Sequence, residues 1–350
     1  MKEMIPVLLN PNFERIAELD NFKSFIWTTR YYSAGDFEVC IDISVVSMLQ
    51  IGYMIARKGD YSHFGIIESV QIQMTEDREE VAVLKGRLLP CILGRRIIAN
   101  QTQLNAKVST CIEALINENV ISPTISARQI SNVTIDNDIT GDSEIEVQYT
   151  GENLLEVISS ICETYGVGFD MTYEGGNFIV HLFEGTDRSY DQTTNPYIVF
   201  SDVYDNLLTA EYNEDHSEYA TDVLVGGEGE GVNQTIVWSA EDSRSGLDRY
   251  EIYLDASSSV TNENIITQAT YESQLNELGL QEISNHTTYT EAFSGTVDFS
   301  GVEFGVDVFI GDIVTIENTR WGMSINSRIV EVIESIGEDG TYTAVPTFGA

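Results

Sequence analysis

The sequence predicts a mainly β chain in which an α+β unit is inserted between strand-rich regions. Residues 24–43 carry the first observation. Phe25, Trp27, Thr29 and Tyr31 alternate along one face, and Phe37, Val39, Ile41 and Ile43 repeat the pattern after a Ser33-Ala34-Gly35-Asp36 turn. Strand side chains point alternately to opposite faces, so this period of two is a half-buried antiparallel hairpin. Gly35 is free to take positive φ in its turn. The second observation is a related phrase near the other end, Gly311-Asp312-Ile313-Val314-Thr315-Ile316-Glu317. It predicts that the two ends share one architecture. The third is helical spacing within residues 100–185.

In chain order, strands are expected at 53–57, 64–74 and 80–87, with a polar turn at 75–78, and this spacing implies a barrel or a strongly curved sheet. A short closing helix is expected at 88–98, with Arg95 and Arg96 reaching solvent or carboxylates. Leu104, Val108, Cys111, Ile112 and Leu115 predict an amphipathic helix over 103–118. Strands near 133–135 and 145–149 precede a second helix marked by Leu154, Ile158, Ile161 and Tyr165, capped by Thr150 and ended by Gly166. Residues 169–183 read as a hairpin turning at Gly175-Gly176. Strands follow at 223–225, 236–239 and 249–254, then a helix over 262–278 ended by Gly279. The final strands are expected at 288–293, 306–309, 313–317, 327–333 and 341–345.

The 350 residues carry a net charge of -38, very unevenly. Residues 1–130 hold 13 Lys and Arg against 15 Asp and Glu, while residues 131–350 hold 5 against 41. No lysine follows Lys107. Tight binding to a nucleic-acid backbone needs clustered cations, and this balance argues against it. Cys40, Cys91, Cys111 and Cys162 show no CxxC pairing and sit among apolar neighbours, which predicts buried free thiols in a reducing compartment. The apolar run 5–9 is too short for a signal peptide, and nothing approaches the roughly 20 apolar residues of a membrane span. Synthesis in the cytoplasm as a soluble chain is expected.

Sites of chemistry are few. Residues 226–231 are rich in glycine, but no GK[ST] follows and Glu228 and Glu230 would repel phosphate, so a bend or close backbone contact is expected. Residues 136–144 resemble the start of a calcium loop, yet the twelfth position is Val147 in place of a bidentate Glu, and an acidic loop is the default. His63, His181, His216 and His286 have no metal spacing and no nucleophile motif beside them, so each is read as a surface or interface residue. Residues 202–218 combine acids with Tyr204, Tyr212 and His216 and read as a solvated segment. No catalytic residue, cofactor or metal ligand is assigned.

Several phrases together resemble a family of siphophage tail proteins. They are Trp27-Thr28-Thr29-Arg30-Tyr31-Tyr32-Ser33-Ala34-Gly35-Asp36-Phe37-Glu38, Gly65-Ile66-Ile67-Glu68, and Lys85-Gly86-Arg87-Leu88-Leu89 leading to Arg95-Arg96-Ile97. Val225-Gly226-Gly227-Glu228-Gly229-Glu230-Gly231, the run Gly246-Leu247-Asp248-Arg249-Tyr250, Arg328-Ile329-Val330-Glu331-Val332 and Thr347-Phe348-Gly349 continue the order. Residues 262–286 are the least family-like.

The resemblance implies a baseplate hub, similar to the hub part of tail-associated lysins and to hubs of contractile tails. Two tube-like β-barrel domains, 1–99 and 186–350, would flank an inserted α+β domain, 100–185, with a helical insertion near 262–286 in the second. Such hubs form homotrimers that join the hexameric tail tube, tape measure and distal tail protein to the tip or receptor-binding proteins. They line the channel that genomic DNA passes, and they assemble in the host cytoplasm. The acidic second part suits a wall to which DNA does not adhere. Arg30, Tyr32, Asp36, Glu228 and Glu230 are the interface candidates. The alternatives are a tail-tip cell-wall hydrolase and a receptor- or carbohydrate-binding module. Trp238 and Trp321 are the aromatic residues to inspect for the latter, while Trp27 alternates within a strand and reads as core.

Overall fold

The computed structural model describes residues 4–74, 80–213, 217–240, 244–258, 267–287, 292–294 and 302–349. The first strands are β1 (Pro6–Leu9), β2 (Arg15–Glu18), β3 (Phe22–Arg30), β4 (Asp36–Asp42), β5 (Met54–Arg57), β6 (Asp60–Met74) and β7 (Glu80–Leu88). The inserted region holds β8 (Thr102–Lys107), α1 (Val108–Ile116), β9 (Val133–Asn137), β10 (Glu144–Tyr149), α2 (Leu154–Tyr165), β11 (Gly168–Glu174) and β12 (Asn177–Phe183). There follow β13 (Val199–Ser201), β14 (Glu211–Asn213), β15 (Asp222–Gly226), β16 (Ile236–Ala240), β17 (Glu251–Asp255), α3 (Gln268–Thr287), β18 (Ala292–Ser294), β19 (Ile313–Asn318), β20 (Met323–Gly337) and β21 (Tyr342–Gly349). Strand outweighs helix, and the fold is mainly β.

The two ends of the chain meet in one large sheet. Its path runs β14-β18-β21-β20-β3-β4-β7-β6-β5-β1-β2, with β19 paired to β20 and β13 to β19. Among the described residues this path does not close on itself. The join is the antiparallel pairing of β20 with β3, from Glu331↔Arg30 to Gly337↔Ser24. Along the same edge, β20 first pairs β19, up to Arg328↔Ile313. At Val330 its register against β21 shifts. The edge changes partner there, and the Tyr31 N–H donates to the Val330 carbonyl at 2.9 Å.

The predicted hairpin forms as β3 and β4, with Phe25, Trp27, Tyr31, Phe37, Val39 and Ile41 buried. Ile43 falls outside it, opening a short 3₁₀ helix capped by Asp42. Gly35 has no positive φ. It is glycine because a Cβ would stand 2.0 Å from the Thr28 carbonyl oxygen. Cys40 lies on the outer face and is only half-buried, since it alternates with the core residues; the other three thiols are buried, and all four are free.

The middle of the chain departs from the helix expected over 103–118. Residues 102–107 are a strand paired with β10, and the helix starts only at Val108. Leu104 shares a strand face with Ala106 as well as helical spacing with Val108, and the partner strand decides between the two. Asn153, rather than Thr150, caps α2, its side chain accepting from the Leu155 and Glu156 N–H groups. Gly166 ends α2 in the left-handed region, as expected. Gly279 does not end α3. It sits inside the helix, where a Cβ would come 2.2 Å from Ser239 Oγ, so it permits the helix to lie on β15 and β16. The expected strand at 306–309 is a tight turn with an isolated Phe304↔Val308 bridge. The polar turn at 75–78, the start of the helix at 262–266 and the start of the strand at 288–291 lie outside the described residues, as does His216.

Tyr31 is fully buried where the pieces meet. Its hydroxyl lies 3.1 Å from the Gly166 carbonyl and 3.3 Å from that of Phe183, and accepts from the Gly185 N–H at 3.2 Å. The Arg328 guanidinium covers its ring at 5.1 Å and donates to the Gly311 carbonyl at 2.7 Å. A Cβ on Gly168 would stand 2.1 Å from the ring, and one on Gly311 2.3 Å. Tyr31→Phe leaves the half-buried Gly185 N–H without its acceptor and is expected to lower stability by about 1–3 kcal/mol. Gly168→Ala is expected to cost a similar amount, about 1–3 kcal/mol, through overpacking. Urea unfolding of both variants checks this; wild-type midpoints would refute it.

Candidate functional site

The polar groups of the join form one chain of contacts across three parts of the sequence. Glu334 of β20 is 0% exposed. Its carboxylate takes hydrogen bonds from Arg57 of β5 at 2.8 Å and from the Tyr342 hydroxyl at 2.6 Å. Arg57 also reaches Asp60 at 2.9 Å, and its guanidinium lies 4.9 Å from the centre of the Trp27 ring. Asp60 Oδ1 is 2.9 Å from His63 Nδ1, and His63 Nε2 is 3.4 Å from Asp170 on β11 of the inserted region. Arg57, Asp60, His63 and Asp170 line a cavity of about 440 Å³, walled by Trp27, Phe64, Leu89, Phe304 and Phe309.

Burial alone would lower the His63 imidazolium. Hydrogen bonds and charge from Asp170 and Asp60 outweigh it and raise the group to about 10. Burial opposes ionisation of Asp60, but His63 and Arg57 hold its carboxyl far below the usual range.

The interface candidates fall in separate places. Arg30 bridges Asp36 and Glu331, each at 2.7 Å, and so ties the β3–β4 turn to β20. Tyr32 is half-buried, edge-on to Tyr31 at 4.8 Å, and burial pushes its hydroxyl up to about 12. Glu228 is half-buried, with its N–H donating to the Tyr271 hydroxyl at 2.6 Å, and Glu230 is exposed at the glycine-rich bend. That bend holds close approaches, since a Cβ on Gly227 would stand 2.5 Å from the Tyr271 hydroxyl. The structure thus brings Arg30 and Asp36 together, sets Tyr32 against Tyr31, and places the two glutamates on the β15–β16 loop.

The remaining sequence candidates are engaged locally. In the acidic loop, Asp142 accepts from the Ser109 N–H at 2.7 Å and Asn137 donates to Glu113 at 2.6 Å. Arg96 donates to the Arg128 and Arg95 carbonyls instead of a carboxylate. His181 stands 3.2 Å from Asp136 and 2.8 Å from the Thr172 hydroxyl. The order Asp-His-Thr has the look of a nucleophile relay, but Thr172 is only 5% exposed on the middle of β11, out of reach of a substrate. Among the tryptophans, Trp27 is buried, while Trp238 and Trp321 are half-exposed. No described helix is long and apolar enough to cross a membrane.

Sequence reading missed the joining network because its members lie 277 positions apart in the Arg57–Glu334 case. A buried ion pair that loses one partner leaves a bare charge, so Arg57→Met is expected to cost about 3–5 kcal/mol, and adding Glu334→Leu is expected to recover most of it. Equal losses in the single and double variants would refute this. The raised His63 group stabilises the fold fully below its ordinary value of 6.5, and that stabilisation is lost as pH rises through about 10. Denaturant titrations are expected to show stability falling across that window, and His63→Gln to flatten the fall; identical slopes would count against the pairing.

A family model described as Siphovirus ReqiPepy6 Gp37-like protein matches residues 5–350. No curated protein matches the sequence. Among solved structures, the tail protein from Neisseria meningitidis MC58 superposes with a TM-score of 0.61 at 13% identity, covering 100% of this chain and 97% of that one. The prophage MuSo2 43 kDa tail protein from Shewanella oneidensis gives 0.59 at 12% identity, over 98% of each chain. Prophage tail protein gp18 from Listeria monocytogenes EGD-e gives 0.54 at 12%, over 99% and 94%. These likenesses are of fold. With its model matched over nearly the whole length, the chain belongs to the siphovirus ReqiPepy6 Gp37-like family and is a protein of the virion tail.

Proposed function

We propose that the chain is a structural baseplate hub at the distal tip of the tail. Three copies would form a ring that joins the hexameric tube, tape measure and distal tail protein to the tip or receptor-binding proteins. The observation that carries this reading is the β20–β3 join, which makes one continuous wall from the two strand-rich ends. Two tube-like units per subunit, residues 1–99 and 186–350, with 100–185 as the inserted α+β unit and a helical insertion near 262–286, would give three copies a six-fold-like rim. The uneven charge supports a channel whose wall repels DNA. Arg30, Tyr32, Asp36, Glu228 and Glu230 remain the proposed contacts. Because Arg30 and Asp36 already satisfy each other and Glu331, their part would be to fix the turn that meets a neighbour.

A tail-tip hydrolase is the weaker reading, because the Asp136-His181-Thr172 constellation buries its hydroxyl and the Ser62 hydroxyl beside His63 is already engaged by Asp60. Electron microscopy of the purified protein and of its parent particle tests the proposal. A three-fold ring with a central channel at the tail tip is the expected result. A compact monomer with a closed cleft, absent from the tip, would overturn it.

A further inference from the structure

A second surface carries its own chemistry. The irregular segment from Asp187 to Tyr197 has no regular secondary structure, yet it is tied down throughout. Gln192 Oε1 accepts from the Thr194 and Asn195 N–H groups, each at 2.7 Å, and its Nε2 donates to the Ser189 and Asn195 carbonyls. Asn195 Nδ2 donates to the Asp187 carbonyl at 2.9 Å. The Tyr190 N–H is held by Thr315 Oγ1 at 2.8 Å, and the Tyr190 ring is braced edge-on by Tyr197 at 5.3 Å. A loop fixed this way presents its side chains with little ordering left to do on binding.

What it presents is one wall of a trough of about 350 Å³, within the range of small-molecule sites. Tyr204 also lines the trough. Tyr190 and Tyr204 are 64% and 67% exposed, unusual for rings of that size. The floor is polar and lies on neighbouring strands, with Thr315↔Asn326 and Glu317↔Ser324 in register. Thr315 Oγ1 donates to Asn326 Oδ1 at 2.6 Å, and Asn326 Nδ2 donates to Asp191 Oδ2 at 2.6 Å. This relay fixes the carboxamide, whose second N–H is then free to point elsewhere. Among the described residues the Glu317 carboxylate, the Ser324 hydroxyl and both tyrosine hydroxyls make no hydrogen bond within the chain.

Flat aromatic walls around a floor of carboxylate, carboxamide and hydroxyl groups match a sugar ring, which has apolar C–H faces and a rim of hydroxyls. Among the described residues no Lys or Arg lines the trough, and two carboxylates do, so phosphate- or carboxylate-bearing polymers are repelled. We propose that this trough binds a neutral saccharide, with Tyr190 and Tyr204 stacking on the ring and Glu317, Ser324 and Asn326 bonding its hydroxyls. The site belongs to a single subunit and its test is independent of ring formation.

The test titrates the full-length chain by calorimetry with neutral di- and trisaccharides of glucose, galactose, rhamnose and N-acetylglucosamine, and with a tri-lysine peptide as the cationic competitor class. At least one saccharide is expected to bind, with an affinity that hardly changes between about 50 and about 500 mM salt. Tyr190→Ala and Tyr204→Ala are each expected to weaken it about tenfold, the loss of one stacking ring with its buried area. Glu317→Gln is expected to weaken it several-fold without changing the melting temperature, since the side chain holds nothing else in place. Binding of none of the saccharides, binding that survives both tyrosine substitutions, or binding of the lysine peptide alone with loss at high salt would each overturn the proposal. The last result would assign the trough to a basic protein partner.

Discussion

The fold depends on how β20 changes neighbours. For its first half it pairs β19, and for its second half it pairs β3, which comes from the other end of the chain. A strand edge that changes partner exposes backbone groups at the change. Here the Val330 carbonyl takes the Tyr31 N–H, the Ile329 carbonyl takes the Gly311 N–H, and Tyr31 fills the gap between them. Its ring is packed so closely that only glycine fits at positions 168 and 311, and its hydroxyl bonds to backbone groups of Gly166 and Gly185 in the last part of the inserted region. One side chain thereby fixes the first sheet, the insertion and the last strands against each other. Interiors are close-packed and poorly compressible, so such a point transmits strain rather than absorbing it.

Electrostatics at the same join follow from burial. Glu334 stands in a dry setting where an unpaired carboxylate would be expensive, and its charge is met by Arg57 and by the Tyr342 hydroxyl. Arg57 passes the pairing on to Asp60, and His63 carries it to Asp170 of the insertion. Paired buried ions add little net stability over apolar groups of the same shape, but they tolerate few other arrangements. The apolar packing around Tyr31 supplies cohesion at the join. The ion chain makes a shifted register of β20 against β3 costly, because a slip of one residue would turn Glu334 to the other face.

Local pattern in the sequence was enough for much of this. The β3–β4 hairpin, the β11–β12 hairpin with Gly175 and Gly176 at positive φ, and α2 with its Gly166 terminus are specified by residues close together in the chain. The likeness of the two ends to each other also anticipated that they would share a sheet. Misreadings arose where a distant partner decides. Leu104 obeys helical and strand spacing alike, and β10 settles it. Gly279 has the look of a helix stop, yet α3 continues because the glycine meets Ser239 across a sheet. The Tyr190–Tyr204 trough was invisible for the same reason. Its walls come from two loops and its floor from two strands, and nothing in the sequence near Tyr190 announces Thr315 or Asn326.

The charge imbalance becomes sharper once the arginines are placed. Residues 131–350 have only five cations. Arg188 is spent on buried Asp312, and Arg249 on Asp222 and Glu251 while lying over Trp238. Arg328 lies over Tyr31, and Arg244 over the Tyr219 ring at 5.7 Å. Only Arg320 stands well out, 3.8 Å from Asp202. The cations of this part therefore act inside the subunit, and its outward field is left to carboxylates. Two such surfaces repel each other when they meet. In the ring proposed above, contacts are head-to-tail, so the surfaces in contact need not be the same on both partners. The arrangement of least repulsion in such a ring would set the acidic part of one subunit against the near-neutral first part of the next, and would turn the remaining carboxylates toward solvent and the proposed channel.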